Sequence, residues 1–160
     1  MYSAVLIVHS LLRWVVLALA VLVTVRAFLG VRGGKPFEER DAKLGGAFVG
    51  AVHTQVLLGL ALHLALSPIT SAAMANMGVA MRDKALRFWA VEHLSMGILV
   101  AVLVTVARVR AKRGADDLAK HRRALVGYGT VLLIILAMIP WPFRKVIGRS
   151  VLPTPLVSAH

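Results

Sequence analysis

Four long apolar blocks constrain this chain more than any other feature in it. They fall at about 4–26, 45–66, 88–107 and 123–141, each close to the roughly 20 residues an α-helix needs to cross a bilayer. In hydrocarbon, every backbone N–H and C=O must be paired within its own segment, so blocks of this length are helices. Only 16% of the residues are charged, against about a quarter in a soluble domain, and they collect between the blocks. The expectation is an all-α integral membrane protein, a four-transmembrane-helix up-down bundle. Residues 1–149 form its single domain, and short connections make successive helices antiparallel neighbours. Residues 150–160, with Pro153 and Pro155, are expected to form a loose tail. No Lys or Arg precedes the first block and Arg13 lies inside it, so it reads as a retained span rather than a signal peptide.

The formal charge of +12 would suggest nucleic-acid binding in a soluble protein. Here the cations sit where a membrane protein needs them, without an aromatic stripe or a nucleic-acid motif, and nucleic acid is set aside. Arg26, Arg32, Lys35, Arg40 and Lys43 fill the first loop, and Arg108, Arg110, Lys112, Arg113, Lys120, Arg122 and Arg123 the third. By the positive-inside rule these loops face the cytoplasm. The expected location is the inner membrane of a bacterium, with both termini on the periplasmic side.

Breaks are easily read. Gly33-Gly34 and Pro36 interrupt the first loop, Ser67-Pro68 ends the second span and Pro140-Trp141-Pro142 the fourth. The Met-rich stretch 69–81 suits an interfacial helix. Gly46 and Gly50, with Ala47 and Ala51, offer a small-residue face, as do Gly127 and Gly129. Ordinary packing is the plainer reading of these, and a homodimer through the second span the bolder one.

Ionisable residues inside spans are costly and mark function by default. The sequence places His9 and Arg13 in the first span, His53 and His63 in the second, Glu92 and His93 in the third, and His121 at the start of the fourth. At a rise of 1.5 Å per residue, His9 lies roughly 7 Å and His93 roughly 8 Å below the same surface. In an up-down bundle their helices are diagonal, so the two rings can face each other at one level. With no cysteine, iron–sulfur clusters, thiolate metal sites and covalent c-type haem are excluded. Haem with two His ligands remains suitable. His53 and His121 occupy the other diagonal at heights about 14 Å apart, a weaker second pair. His63 lies near the boundary and can snorkel. Arg13, Arg87 and Arg144 approach the outer surface, and arginine suits bidentate binding of a haem's propionates. The plainer alternatives are an Arg13–Glu92 ion pair and headgroup contacts for Arg87 and Arg144. Trp14, Phe88 and Trp89 can wall a flat cofactor or anchor the interface.

The segments His9-Ser10-Leu11-Leu12-Arg13-Trp14, His53-Thr54-Gln55-Val56-Leu57-Leu58-Gly59, Arg87-Phe88-Trp89-Ala90-Val91-Glu92-His93, Lys120-His121-Arg122-Arg123 and Ile139-Pro140-Trp141-Pro142-Phe143-Arg144 together resemble the short four-helix bacterial membrane proteins described as cytochrome b-like. The resemblance runs from His9 to Arg144 and implies a b-type haem carrier for electron transfer. It would hold one haem b, or two, with His9, His53, His93 and His121 as the matching histidines.

The expected partners are the bilayer, a quinone or quinol, or a periplasmic redox protein, with the chain alone or as a subunit of a larger complex. Two other functions fit the same residues. One is copper handling through histidines and Met74, Met77, Met81 and Met96, since thioethers suit Cu(I). The other is a cofactor-free accessory subunit. No nucleophile motif, phosphate loop or H-E-x-x-H sequence supports a hydrolase or transferase, so an electron-transfer module is favoured over a stand-alone enzyme.

Overall fold

The structure, a computed structural model, describes residues 1–150; the expected tail, Ser150 apart, lies outside them. Helix α1 covers Tyr2–Gly33. Helix α2, Glu39–Ala61, continues through a π-helical turn at Leu62–Leu66. Three short helices follow: α3 (Pro68–Ala75), α4 (Met77–Arg82) and α5 (Lys84–Arg87). A second π-helical turn, Phe88–Glu92, leads into α6 (His93–Lys112), and α7 covers Asp117–Met138.

Four stretches, Tyr2–Gly33, Glu39–Leu66, Lys84–Lys112 and Asp117–Met138, are long and apolar enough to cross a membrane. The chain is a multi-pass membrane protein built as a four-helix bundle. Each long helix packs on two ring neighbours: α1 on α2 and α7, and α6 on α2 and α7. This leaves α1 diagonal to α6 and α2 diagonal to α7. At the end of the bundle away from the N-terminus the helices overrun their apolar blocks, because local caps extend them. Gly34 closes α1 in the left-handed conformation (φ 57°), which glycine adopts without steric cost. Glu38 and Asp41 form a capping box at the start of α2, and Asp116 accepts the Ala119 N–H at 2.7 Å to start α7.

The buried positions explain the packing. They recur at Val16, Ala20, Val23, Ala27 and Gly30 on α1, at Val100, Val104, Ala107 and Ala111 on α6, and at His121, Ala124, Tyr128, Val131 and Ile135 on α7. Steps alternate between three and four residues, the seven-residue period of nearly parallel helices with interlocked side chains. Small residues dominate the seams on α1 and α6, so backbones approach closely, as membrane helices require. The outward positions are also apolar: Val8, Leu11, Val15, Leu22, Val25 and Leu29 of α1 are all exposed, as a lipid-facing surface should be.

The glycines divide by position. A Cβ on Gly127 would meet Ala107 Cβ at 2.6 Å, so Gly127 sits where α7 crosses α6. A Cβ on Gly129 would find only Thr24 Cγ2 at 3.9 Å. On α2, Gly45 lies against the Tyr128 hydroxyl and Gly46 against the Arg108 guanidinium, whereas Gly50 faces open space. The 69–81 stretch forms two short helices instead of one interfacial helix. Asn76 breaks it, and its side chain accepts the Val79 N–H to cap the second piece. Helix α3 packs on both π-helical turns and so joins the ends of α2 and α6.

Gly127→Ala should force α6 and α7 apart and lower unfolding stability in detergent by about 1–3 kcal/mol. Gly129→Ala should be neutral or slightly stabilising, because alanine is the better helix former. Thermal unfolding of the two variants side by side checks the contrast.

Candidate functional site

Polar groups that enter the apolar bundle need partners, and most of them gather around one cavity at the bundle end that holds the N-terminus. Its volume is about 160 Å³. All four long helices contribute, through His9 and Arg13 of α1, Gln55 and Gly59 of α2, His93 and Gly97 of α6 and Met138 of α7. Ser67, Ile69 and Thr70 close it from the α3 side, and the segment after α7 adds Pro140 and Arg149.

His9 and His93 meet here across the diagonal, with ring centroids 6.4 Å apart and planes at 69°. Phe88 and Trp89 flank His93 at 5.5 and 5.4 Å between centroids. Gln55 donates from Nε2 to the His9 carbonyl oxygen at 3.0 Å, which fixes α2 against α1 at the level of the cavity. A Cβ on Gly59 would stand 3.3 Å from His9 Cε1, so the glycine leaves room for the ring. The Nδ1 atoms of both histidines and Oε1 of Gln55 are buried without a close hydrogen-bond partner, although the backbone of Gln55 approaches the His9 ring and that of Met138 the His93 ring. A buried unpaired polar atom costs about 1–3 kcal/mol; three border the cavity, and Nδ1 of His121 and Nε of Arg108 are likewise unpartnered away from it.

The π-helical turns contribute as well. Such turns insert a residue into the helix and often accompany functional sites. Leu62–Leu66 carries His63 onto the cavity wall, where the Thr70 hydroxyl donates to the His63 carbonyl at 2.8 Å. Phe88–Glu92 immediately precedes His93.

The other expected site residues are elsewhere. His53 is exposed on the outer surface of α2, and its Nε2 lies 3.4 Å from the Thr105 hydroxyl of α6. His121 is 2% exposed and packs at the opposite end, against Gly30 and with its ring 5.1 Å from Phe37. Its Nε2 stands 3.3 Å from the Pro36 carbonyl. These two histidines do not meet. Glu92 pairs with Arg87, at 2.7 Å, and not with Arg13, because it turns to the exposed side of its helix, where Arg87 stands. Arg87 also donates to the Met81 carbonyl at 3.1 Å. Arg144 donates to the Ala137 carbonyl and lies over Phe88 at 5.4 Å. Neither Arg87 nor Arg144 lines the cavity, whereas Arg13 does. Met74, Met77 and Met81 are exposed on α3 and α4, away from the paired histidines.

Gln55, His63 and Arg149 are the site residues that sequence reasoning passed over. Gln55 had a signal: a side-chain amide deep in an apolar block needs a partner as much as a histidine does. His63 and Arg149 depend on a π-helical turn and on a returning loop, which periodicity does not reveal.

Fold and site together define a multi-pass α-helical membrane protein with a cavity at one end that carries paired histidines. Comparison with known protein families, with characterised proteins and with solved structures finds no match. Among the described residues, no group of three or more His, Cys, Asp or Glu side chains could enclose a metal ion. Any metal at the cavity would therefore need ligands beyond His9 and His93, such as the ring nitrogens of a macrocycle.

The two ends separate experimentally. His121→Ala removes a buried side chain and should lower the thermal stability of the purified protein by about 1–3 kcal/mol. His53→Ala, at an exposed site, should change it by less than about 0.5 kcal/mol.

Proposed function

We propose that the protein is a b-type haem carrier for electron transfer, with His9 and His93 as axial ligands. The observation that carries this reading is the meeting of the two imidazoles across the bundle diagonal, beside an apolar cavity. Two imidazoles that bind one metal through opposed nitrogens at about 2 Å have centroids roughly 6 Å apart; His9 and His93 stand at 6.4 Å. Their Nδ1 atoms lack a close hydrogen-bond partner, which supports unused coordinating or donating capacity in both rings. The wall beside them is built of flat and aliphatic groups, Trp89, Val52, Val56 and Ile135 among them. An enclosed space near 150 Å³ holds a single aromatic ring. A macrocycle would therefore also use the rest of the cleft, whose lining includes Tyr2 and Arg149.

A bound haem would supply a one-electron couple. The chain's own residues do the rest. His9 and His93 would hold its iron, from two helices that are not ring neighbours. Gln55 ties the backbone at His9 to α2. Apolar side chains limit water, which raises the influence of nearby charge on the couple. We further propose that the cavity end faces the periplasm and the basic loops the cytoplasm of a bacterial inner membrane, following the distribution of Lys and Arg. Electrons would then pass between a quinol or periplasmic redox protein and the haem near the outer leaflet. The separation of His53, beside Thr105, from His121, beside Pro36, favours one haem over two.

The test is expression with haem supply, purification in detergent, and oxidised and dithionite-reduced spectra with pyridine-haemochrome quantification. The expected result is a Soret band with sharp reduced α and β bands at about one haem per chain. His9→Ala and His93→Ala should each abolish the six-coordinate spectrum, and His53→Ala and His121→Ala should leave it in place. A folded, colourless protein that takes up no haem would rule the reading out.

A further inference from the structure

At the end of the bundle away from the cavity, positive charge exceeds what the protein's own carboxylates balance. The chain has seven Asp and Glu side chains, all among the described residues, and each is engaged. Glu38 and Asp41 stand at Arg26, Glu39 at Lys43 and Asp117 at Lys120. Glu92 holds Arg87, and Asp83 and Asp116 cap α5 and α7. None of them forms an ion pair with Arg108 or Lys112 of α6.

Arg108 differs from the other cations in where its guanidinium rests. It lies against α2 at Gly46, where a Cβ would stand 3.3 Å from Nη2, 3.6 Å from Nε and 3.7 Å from Cζ. Its Nε is buried without a hydrogen-bond partner. Gly46 falls at the start of one apolar block and Arg108 just beyond the end of another, so the guanidinium sits where hydrocarbon meets headgroups. From there the groove between α2 and α6 runs into the span. Gly50, one turn farther in, faces open space. Beyond it His53 Nε2 of α2 and the Thr105 hydroxyl of α6 stand 3.4 Å apart. Lys112 follows Arg108 by four residues and shares its face.

We infer that this groove binds an anionic phospholipid, with the phosphate at Arg108 and Lys112 and an acyl chain along Gly50. Basic pockets between membrane helices recognise acidic headgroups. The planar fork of a guanidinium matches phosphate oxygens, and resting on Gly46 orients it before the lipid arrives. A lipid is favoured over a free anion because the open space at Gly50 lies inside an apolar block, where only an acyl chain is at home. The site is remote from His9 and His93, so it stands apart from the haem reading.

The test is native mass spectrometry and thermal unfolding of the full-length protein, delipidated in neutral detergent. Phosphatidylglycerol, phosphatidylcholine or inorganic phosphate is then added. Wild type should hold phosphatidylglycerol about tenfold more tightly than phosphatidylcholine, the range for a charge-assisted hydrogen bond. Inorganic phosphate should leave the unfolding temperature unchanged. Arg108→Gln should lose most of the preference. Arg110→Gln, which removes the same charge about 200° round the helix, should keep it. Gly50→Leu keeps every charge but fills the groove. It should weaken phosphatidylglycerol binding several-fold without lowering the unfolding temperature of the lipid-free protein. If Arg108→Gln does not fold, Gly50→Leu and the wild-type comparison still decide. Equal wild-type retention of both lipids, full preference in Arg108→Gln, equal loss in Arg110→Gln, or unchanged binding in Gly50→Leu overturns the inference. So does stabilisation by inorganic phosphate as large as that by phosphatidylglycerol, which would mark an anion site without a lipid.

Discussion

The cost of placing an ionisable or hydrogen-bonding side chain against hydrocarbon organises this molecule. Water cannot satisfy such a group inside the bilayer, so it must turn inward, reach an end, or find a partner. All three outcomes occur here. His9, Arg13, Gln55 and His93 turn into one cavity, Arg87 and Glu92 pair on an exposed side, and Thr24, Thr54, Thr105 and Thr130 donate to carbonyls four residues back on their own helices. The bundle's seven-residue packing period and its small-residue seams follow from the same condition. With no hydrophobic drive to bring helices together in lipid, close packing has to supply the association.

The two ends of the bundle use polar residues differently. At the end away from the N-terminus several are consumed in structure, although Nδ1 of His121 and Nε of Arg108 are buried there without a hydrogen-bond partner. Arg26 of α1 donates to Asp41 of α2 at 2.7 Å, His121 fills the space over Gly30, and Tyr128 packs on Phe48 with centroids 5.8 Å apart. At the N-terminal end, polar atoms on His9, His93 and Gln55 remain buried and unpaired beside open volume. The adjoining space, about 160 Å³ beside His9 and His93 against about 10 Å³ beside His121, separates a candidate binding site from a packing cluster more than the number of histidines does.

Much of the architecture was legible in the sequence because it rests on lengths and periods. Four apolar blocks require four helices, and a fixed rise per residue puts His9 and His93 at one level, where the structure brings their rings together. What was illegible depends on local departures from those periods. The sequence leaves an Arg13–Glu92 ion pair open as one alternative, but the Glu92 side chain turns outward to Arg87. The π-helical turn at Leu62–Leu66 brings His63 to the cavity, although its position near the membrane boundary suggested a solvated ring. Arg149 reaches the wall only because a loop closes around Gly148, and no spacing rule encodes such a return. The Met-rich stretch divides at Asn76 because the amide side chain caps α4.

The central claim is that His9 and His93 share one iron. Low-temperature electron paramagnetic resonance of the oxidised, purified protein addresses that ligation directly. The account predicts a low-spin ferric signal characteristic of two imidazole ligands in wild type, converted to a high-spin signal or lost in His9→Ala and in His93→Ala. A wild-type signal that is high-spin, or a low-spin signal that survives both substitutions, would contradict it.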